Sequence, residues 1–140
     1  GVKMTIQIMP MSEADSDYLK VIDSGLNEYS QRVTGHERVP LNFIAKMGDV
    51  RVGGIKACTV ENHFFISWLY VDDKYRAQGI GRDLMKHAEM MAKQKNCIKA
   101  FVDTMSFQAP EFYERLGFEE IVRITDFYQG YDRIFYSKMI

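Results

Sequence analysis

The sequence predicts an α/β fold of the α+β type, with a mixed, mostly antiparallel central sheet of about six to seven strands and helices on both faces. Three observations lead to this expectation. Short alternating or aromatic runs bounded by Gly, Pro, Asn or Asp predict strands. Longer segments repeat apolar residues every three or four positions, which predicts helices. One such helix joins two strands, and strands joined through a helix run parallel.

The N-terminal part predicts one strand followed by helical segments. Thr5–Met9 alternates and is stopped by Pro10, so it predicts a short strand. Ser12 and Asp15 have the spacing of a weak capping box at the start of a helix. A second helical pattern covers Gly25–Val33. Because the periodicity is poor here, we expect one bent helix or two short ones.

Three antiparallel strands are predicted next. Leu41–Met47 and Val50–Val60 are joined at Gly48-Asp49, a pair typical of a tight hairpin. Gly53-Gly54 interrupts the second strand and predicts a bulge or a close approach of the backbone. His63–Val71 is short, aromatic and β-branched, so it predicts a buried central strand.

The central strand leads through a polar loop into a helix. The loop ends in Gly79 and Gly81. The helical pattern consists of Ile80, Leu84, Ala88 and Met91. A helix that begins at glycines presents unpaired N–H groups and a positive dipole end that no side chain crowds. Such a terminus is suited to binding phosphate oxygens.

The C-terminal part predicts three further strands and a short helix. Cys97–Asp103 alternates and is expected to pair parallel with the central strand. Pro110 fits the first turn of a short helix, and Gly117 fits the left-handed residue past its end. Phe118–Ile124 and Arg133–Met139 are the last two strands.

Two other phosphate-binding motifs were weighed against these glycines. A dinucleotide-binding motif requires a third glycine, but Leu84 stands there, and a long loop separates the strand from Gly79. Asp103 does occur at the distance expected for a ribose-binding acid, which keeps that interpretation open. A Walker loop is excluded because no Gly-Lys-Ser/Thr follows.

Composition limits the class of protein. The chain has 140 residues, 46% of them apolar, which is enough for one globular domain with a core. With 18 basic and 19 acidic residues, it lacks the positive charge of nucleic-acid-binding proteins. No apolar run reaches the roughly 20 residues needed to span a bilayer, and no secretory signal opens the chain. We therefore expect a cytoplasmic protein with no membrane or nucleic-acid partner.

The cysteines and histidines indicate no metal site. Cys58 and Cys97 lie far apart within apolar runs, which predicts two buried reduced thiols. A disulfide or a catalytic cysteine is the less favoured alternative. The histidines have no ligand-like spacing to one another or to the cysteines, so we expect no metal.

Two segments resemble conserved motifs of the GCN5-related N-acetyltransferases (GNAT). The strand ending at Val71 and the run 76–81, Arg-Ala-Gln-Gly-Ile-Gly, resemble motif A. The run 109–118, Ala-Pro-Glu-Phe-Tyr-Glu-Arg-Leu-Gly-Phe, resembles motif B. The resemblance implies a single N-acetyltransferase domain over 1–140 with the acyl-CoA N-acyltransferase fold. It also implies that two neighbouring strands diverge and admit acetyl-CoA from one side and the acceptor from the other.

The resemblance assigns a set of residues to acetyl-CoA. Backbone amides at the start of the helix would hold the pyrophosphate, the main chain of the central strand would bind the pantetheine arm, and two arginines would add charge. Ser106 occupies the position of the family's usual asparagine, so its side-chain contact is a weaker expectation. The expected cofactor-binding residues are Leu69, Val71, Arg76, Gln78, Gly79, Gly81, Arg82 and Ser106.

The resemblance also implies a mechanism of direct attack by an amine. Tyr113 stands where the family places a tyrosine near the thioester sulfur, which makes it the expected general acid. The main-chain amide of Leu69 is the candidate for polarising the carbonyl. No carboxylate occurs between Phe64 and Trp68, where some relatives carry the base. The candidates for the base are His63, Asp103 and Glu28, with a water chain as a further alternative.

The acceptor side is expected to be formed by the helix Gly25–Thr34 and the link Thr125–Asp132. The acidic and aromatic residues of this link are Asp126, Tyr128, Tyr131 and Asp132. They favour a cation, which suggests a small-molecule amine, a lysine or the N-terminal amine of a peptide. A homodimer is left open.

Besides an active acetyltransferase, the sequence is compatible with two other classes of function. A catalytically silent module that binds or senses acetyl-CoA is compatible with the missing carboxylate on the central strand. An interaction protein that retains only the fold is the third hypothesis.

Overall fold

The computed structural model describes residues 4–140. Two compact units divide the chain, one ending at Glu37 and the other covering Arg38–Ile140. The units are described separately.

The N-terminal unit is helical. A single 3₁₀ turn, Glu13–Asp15, precedes helix α1, Tyr18–Thr34. The Ser12 N–H donates to the Asp15 carboxylate at 3.0 Å, which confirms the predicted capping pair. Helix α1 is one continuous helix and ends at Gly35, whose φ of +76° is the left-handed conformation expected at a helix end.

The strand predicted at Thr5–Met9 is wrong. This segment has no regular secondary structure, and none of the described strands pairs with it. Alternation alone does not make a strand, because the backbone groups of a strand need a partner to complete their hydrogen bonds.

The second unit is built on a seven-stranded sheet, which confirms the predicted fold class. The spatial order is β1-β3-β4-β5-β7-β6, and β2 also pairs with β3. Every pairing is antiparallel except β4 with β5, which is parallel as predicted. The strands are β1 Arg38–Pro40, β2 Phe43–Met47, β3 Val50–Val60, β4 His63–Val71, β5 Lys99–Met105, β6 Glu119–Tyr128 and β7 Tyr131–Met139.

Two helices of this unit position the site. Helix α2, Ile80–Gln94, connects β4 to β5 and buries Leu84, Met85 and Ala88 in the core. Helix α3, Pro110–Arg115, connects β5 to β6 and begins at its proline, as predicted. The predicted terminator of α3 is confirmed, since Gly117 has a φ of +94°.

Several strands differ from the sequence prediction in their bounds, and the two largest differences are β1 and the β6–β7 hairpin. Strand β1 was not predicted, because it has three residues and ends in proline. The predicted link Thr125–Asp132 is mostly strand, since β6 extends to Tyr128 and only Gln129-Gly130 forms the turn. The β6–β7 pairing is irregular between Ile124 and Tyr128, so this part of the hairpin retains a bulge.

The close approach predicted at Gly53-Gly54 is confirmed. A Cβ atom on Gly53 would lie 2.6 Å from the Tyr70 carbonyl oxygen and 3.3 Å from the Val71 Cα. The β2–β3 register also shifts between Ala45 and Lys46, so a bulge lies beside the glycine. This glycine therefore lets β3 lie against the end of β4 that carries the site.

We expect Gly53→Ala to lower the free energy of unfolding by about 1–3 kcal/mol, because both contacting atoms belong to the backbone and cannot move aside cheaply. Urea unfolding measures the change. Gly25→Ala is the control: nothing lies within 4 Å of its added Cβ, and in a helix interior it should stabilise by about 0.5–1 kcal/mol. A Gly53→Ala variant as stable as the parent would contradict the close approach.

Within residues 4–140, no helix has the length and apolar character needed to cross a membrane.

Candidate active site

The site begins where β4 and β5 stop pairing. Their register runs from His63 opposite Lys99 to Ile66 opposite Val102 and ends there. At the same point β4 contains a bulge: on β3, Ala57 faces Ile66 and Lys56 faces Trp68, so Ser67 is the extra residue. A bulge bends its strand and increases its twist. The strands therefore diverge beyond Ile66, as the family resemblance implied.

A cavity of about 850 Å³ occupies this opening. Its walls come from the end of β4, the loop that follows, the first turn of α2, the end of β5 and helix α3. The lining residues used below are Leu69, Val71, Arg76, Gly79, Gly81, Arg82, Asp103, Phe107, Phe112, Tyr113 and Arg115.

The edge of β4 presents to this cavity peptide groups that are not paired with another strand. The Asp72 N–H donates to the Val52 carbonyl at 2.8 Å, so it points toward β3. Peptide groups alternate in direction along a strand, so those of Leu69 and Val71 point the other way, into the opening. In agreement, the Val71 carbonyl accepts a hydrogen bond from Arg76 Nε at 3.1 Å rather than from β3.

The first turn of α2 forms one end of the cavity. Gly79 is the N-cap residue, with a φ of +82° and no side-chain cap. The first helical bond runs from the Asp83 N–H to the Gly79 carbonyl at 3.0 Å. The amides preceding Asp83 thus have no partner within the helix, and with the helix dipole they favour an anion. Ala77 also has a positive φ, +62°, which keeps the approach to this turn tight.

Three arginines surround the cavity. Arg76 is held by Asp73 at 2.9 Å as well as by the Val71 carbonyl, so it braces the loop. The Arg82 guanidinium lies against Gly79, and its contact with Asp83 is long at 4.0 Å.

Sequence reasoning missed the third arginine, Arg115. It pairs with Glu111 one helical turn earlier, at 3.3 Å. The spacing of four residues between Glu111 and Arg115 on a predicted short helix is the sequence feature that could have indicated this ion pair.

Tyr113 of α3 lines the same cavity and is only 6% exposed. Its ring contacts those of Phe112, Phe118 and Tyr136 at centroid distances of 5.2 to 6.3 Å. Burial, with a smaller contribution from the charge of Asp103, raises the pKa of Tyr113 to about 12. No described residue hydrogen-bonds the hydroxyl, and the described residues leave no buried side-chain polar atom unpaired. The hydroxyl therefore opens into the cavity, and it is protonated at neutral pH.

Comparison with known proteins decides the family. A model described as an acetyltransferase (GNAT) domain matches residues 41–120, more than half of the chain. The chain belongs to the GNAT acetyltransferases.

Two relatives show the extent of the sequence match. Acetyltransferase Atu2258 of Agrobacterium fabrum is 33% identical over 110 residues, which are 77% of this chain and 80% of that protein. Human N-alpha-acetyltransferase 30 is 32% identical over 124 residues, 80% of this chain. The match covers 34% of the human protein, so this GNAT chain spans about a third of its length.

Solved structures agree in fold. A protein of Agrobacterium tumefaciens provisionally named an acetyltransferase superposes with a TM-score of 0.82 at 25% identity, over 98% of this chain and 100% of that one. A protein of Bacillus anthracis, provisionally named a streptothricin acetyltransferase and solved in complex with acetyl coenzyme A, gives a TM-score of 0.64 at 25% identity. That match covers 73% of this GNAT chain and 63% of the Bacillus protein.

Two residues expected to contact the cofactor in this GNAT domain lie outside the lining of the main cavity. Gln78 lines a smaller neighbouring cavity of about 430 Å³ beside β2. The Ser106 hydroxyl accepts a hydrogen bond from the Asp132 N–H at 2.9 Å, and the Ser106 N–H donates to the Asp132 carbonyl at 2.8 Å. Ser106 thus joins the β5–α3 loop to β7, and its side chain is already engaged within the protein.

The three candidate bases of the GNAT domain are placed very differently. Asp103 lines the cavity, and among the described residues it is the only carboxylate or imidazole that does. His63 starts β4, six residues before Leu69, which is roughly 20 Å along a strand. Glu28 is an exposed residue of α1 in the N-terminal unit. The sequence could not rank these three, because their separation depends on how the strands are placed.

The acidic residues of the predicted acceptor link are mostly occupied within the β6–β7 hairpin. The Asp132 carboxylate binds Arg123 at 2.7 Å and accepts the Asp126 N–H at 3.0 Å. These hydrogen bonds lower the pKa of Asp132. The Asp126 carboxylate accepts the Gly130 N–H at 2.8 Å. Both carboxylates therefore brace the hairpin turn, and a role in attracting a cationic acceptor stays a prediction.

The cysteines are free thiols, as predicted. Burial raises the pKa of both Cys58 and Cys97, so neither is activated as a nucleophile. Residues 4–140 contain no cluster of three or more His, Cys, Asp or Glu side chains able to hold a metal ion.

Proposed function

We propose that this GNAT domain transfers the acetyl group of acetyl-CoA to a primary amine of a small molecule or peptide. The observation that carries the proposal is the phenol of Tyr113, which opens into the gap between β4 and β5. The free edge of β4 and the uncapped start of α2 border the same cavity. A hydrogen-bond donor, an extended backbone edge and an anion site match the thioester, the pantetheine arm and the pyrophosphate.

Binding of acetyl-CoA would use mainly backbone groups. The amides of Gly79, Gly81 and Arg82 would hold the pyrophosphate, with the Arg82 guanidinium adding charge. The peptide groups of Leu69 and Val71 would pair with the amides of the pantetheine arm as a further strand would. Three further residues remain proposed contacts of acetyl-CoA: Gln78 through its backbone amide, Arg76 and Ser106. Among these, Arg76 is the one that lines the main cavity.

The chemistry is attack of a neutral amine on the thioester carbonyl. An alkyl amine has a pKa near 10.4, so about one molecule in 2,500 is neutral at pH 7. No imidazole lines the cavity among the described residues. Loss of the first proton to water before attack is therefore the simplest route. The Leu69 N–H points into the opening, where it would stabilise the charge that develops on the carbonyl oxygen.

Tyr113 would act on the leaving sulfur as the general acid. With a pKa of about 12 it is protonated throughout the physiological range, so it always offers its proton. A thiol has a pKa near 8.5, well below that of the phenol, so complete proton transfer from Tyr113 would be uphill by about 5 kcal/mol. The main contribution of Tyr113 is then a hydrogen bond that strengthens as negative charge builds on sulfur.

The experiment that tests the proposal is release of free thiol from acetyl-CoA, measured as a function of pH with two amines. For a peptide with a free N-terminus, kcat/KM should rise about tenfold per pH unit and level near pH 8. For an alkyl amine it should rise until about pH 10. The Tyr113 proton is lost only near pH 12, so no fall is expected below pH 10. A decline between pH 8 and 10 would contradict Tyr113 as the donor.

A catalytically silent acetyl-CoA-binding module is the second candidate. It is favoured by the absence of any carboxylate among the β4 residues that border the cavity, Ser67–Val71. Thermal stabilisation by acetyl-CoA without thiol release above background, across polyamines, amino acids, aminoglycosides and peptides, would establish it. No stabilisation by acetyl-CoA would instead favour a protein that retains only the fold.

A further inference from the structure

A phenol and a carboxylate reach the gap between β4 and β5 from opposite faces of β5. Val102 and Thr104 are buried, 5% exposed each, and lie on the same face as Ile134 and Tyr136 of β7. Tyr113 packs against Tyr136, so the phenol reaches the gap from that face. Neighbouring residues of a strand point to opposite faces, so Asp103 reaches the gap from the other side. The phenol and the carboxylate thus border one opening from opposite faces of the sheet.

Asp103 is fixed in place by Arg133 of β7. Arg133 Nε donates to Asp103 Oδ2 at 2.9 Å. The guanidinium lies over the rings of Phe127 and Phe135, at 5.4 and 5.0 Å from their centroids. These contacts hold the arginine, and the arginine in turn orients the carboxylate. Arg133 is therefore a positioning residue.

One oxygen of Asp103 remains available. No described residue donates a hydrogen bond to Oδ1, and the side chain is 33% exposed. Its negative charge contributes to the raised pKa of Tyr113, so the two groups interact across the opening. Arg133 on β7 and Tyr113 on α3 are two titratable groups near Asp103. In the facing part of β4, Ser67–Val71, the titratable side chain is that of Tyr70.

Aromatic rings line the same side. Tyr70 of β4 lines the cavity and is 59% exposed, and Trp68 beside it already carries the Lys56 ammonium over its ring, at 4.4 Å from the centroid. Phe107 also lines the cavity, and its ring is packed edge-on against Tyr131 at 4.8 Å. A carboxylate next to exposed aromatic faces favours a cation, because both attract positive charge.

From this arrangement we infer that Asp103 binds the amino group of the acceptor and holds it at the gap, opposite Tyr113. The inference rests on the proposed function. A carboxylate is a far weaker base than an alkyl amine, so Asp103 binds the ammonium ion without taking its proton. One ammonium proton passes to water, and the nitrogen lone pair forms the C–N bond. The C–S bond breaks and the sulfur keeps its electron pair. The second nitrogen proton ends on that sulfur, directly or by way of the Tyr113 hydroxyl, and gives the thiol.

Asp103→Asn tests the inference, since asparagine keeps the shape and removes the charge. With acetyl-CoA saturating, we expect the KM for a cationic amine to rise about ten- to a hundred-fold. The kcat should stay within about threefold, and acetyl-CoA affinity should not change. Glu120→Gln is the control, because it also removes a carboxylate paired with an arginine, at 2.7 Å, but outside the cavity lining. It should leave both constants unchanged.

An unchanged KM in Asp103→Asn would overturn the inference and leave the proposed function standing. If the variant does not fold, the wild-type protein gives a second test. Its KM for the amine should rise with salt between about 0.01 and 1 M, since salt screens a half-exposed ion pair. A constant KM would overturn the inference.

An inactive wild-type protein would instead overturn the proposed function. The carboxylate site would then be tested by calorimetry, with the same amines titrated into protein loaded with coenzyme A. Weaker binding by Asp103→Asn would support the site, and equal binding would overturn it.

Discussion

Tyr113→Phe is expected to lower kcat by about 10²–10⁴-fold and to leave the affinity for acetyl-CoA almost unchanged. The substitution removes one oxygen from a residue that is otherwise ring, and the ring contacts with Phe112, Phe118 and Tyr136 remain. No described residue hydrogen-bonds the hydroxyl, so its loss leaves no protein group without a partner. Folding should therefore be preserved while the donor to the leaving sulfur is lost.

The structure offers a matched control in Tyr136→Phe. Tyr136 is 1% exposed, and burial raises its pKa to about 12 like that of Tyr113, but its hydroxyl donates to Glu114 at 3.0 Å and does not line the cavity. Its replacement should lower the free energy of unfolding by about 1 kcal/mol and leave kcat unchanged. Steady-state thiol release and calorimetric titration of acetyl-CoA measure both variants. Equal kcat for Tyr113→Phe and the parent would remove Tyr113 from the mechanism.

Gly81→Glu is expected to raise the dissociation constant of acetyl-CoA by at least about 100-fold, or about 2.7 kcal/mol. Gly81 lies in the first turn of α2, and its added Cβ would contact the Phe112 ring at 3.4 Å. The ring blocks that direction, so a long side chain would extend into the cavity. A carboxylate there would face the diphosphate, and like charges brought together cost several kcal/mol.

Two further variants at the same position separate charge from size. Gly81→Ala adds only the Cβ, which the 3.4 Å contact tolerates, and its backbone is not left-handed, so affinity should be close to that of the parent. Gly81→Gln has the size of glutamate without its charge and should fall between the two. Thermal denaturation checks that each variant folds. Unchanged affinity in Gly81→Glu would place the diphosphate elsewhere.

The local elements of the second unit could largely be predicted from the sequence. The hairpin at Gly48-Asp49, the strand His63–Val71, the helix after Gly79 and the proline and glycine that bound α3 all occur as predicted. These features depend on short-range chemistry: side-chain alternation, glycine conformations and the missing N–H of proline. Two of them also carry the motifs that led to the GNAT family.

Other features could not be predicted from local sequence, because they depend on distant residues. Thr5–Met9 alternates like a strand but has no partner strand. Asp126 and Asp132 were expected, with Tyr128 and Tyr131, to favour a cation, and both carboxylates also make hydrogen bonds within the hairpin. Ser106, a proposed cofactor contact, also hydrogen-bonds Asp132, which lies 26 residues away in sequence. None of these partners can be identified from local spacing.

The sequence by itself determined the class of fold, the family and the tyrosine and glycines proposed to act on acetyl-CoA, because each is encoded in a short run of neighbouring residues. Only the tertiary structure decided which acidic group reaches the cavity. His63 and Asp103 lie on adjacent paired strands, yet the bulge at Ser67 opens the sheet beside Asp103 and roughly 13 Å along the strand from His63. The divergence of two strands and the face on which a side chain emerges arise from pairing across the whole sheet, and no local pattern contains that information.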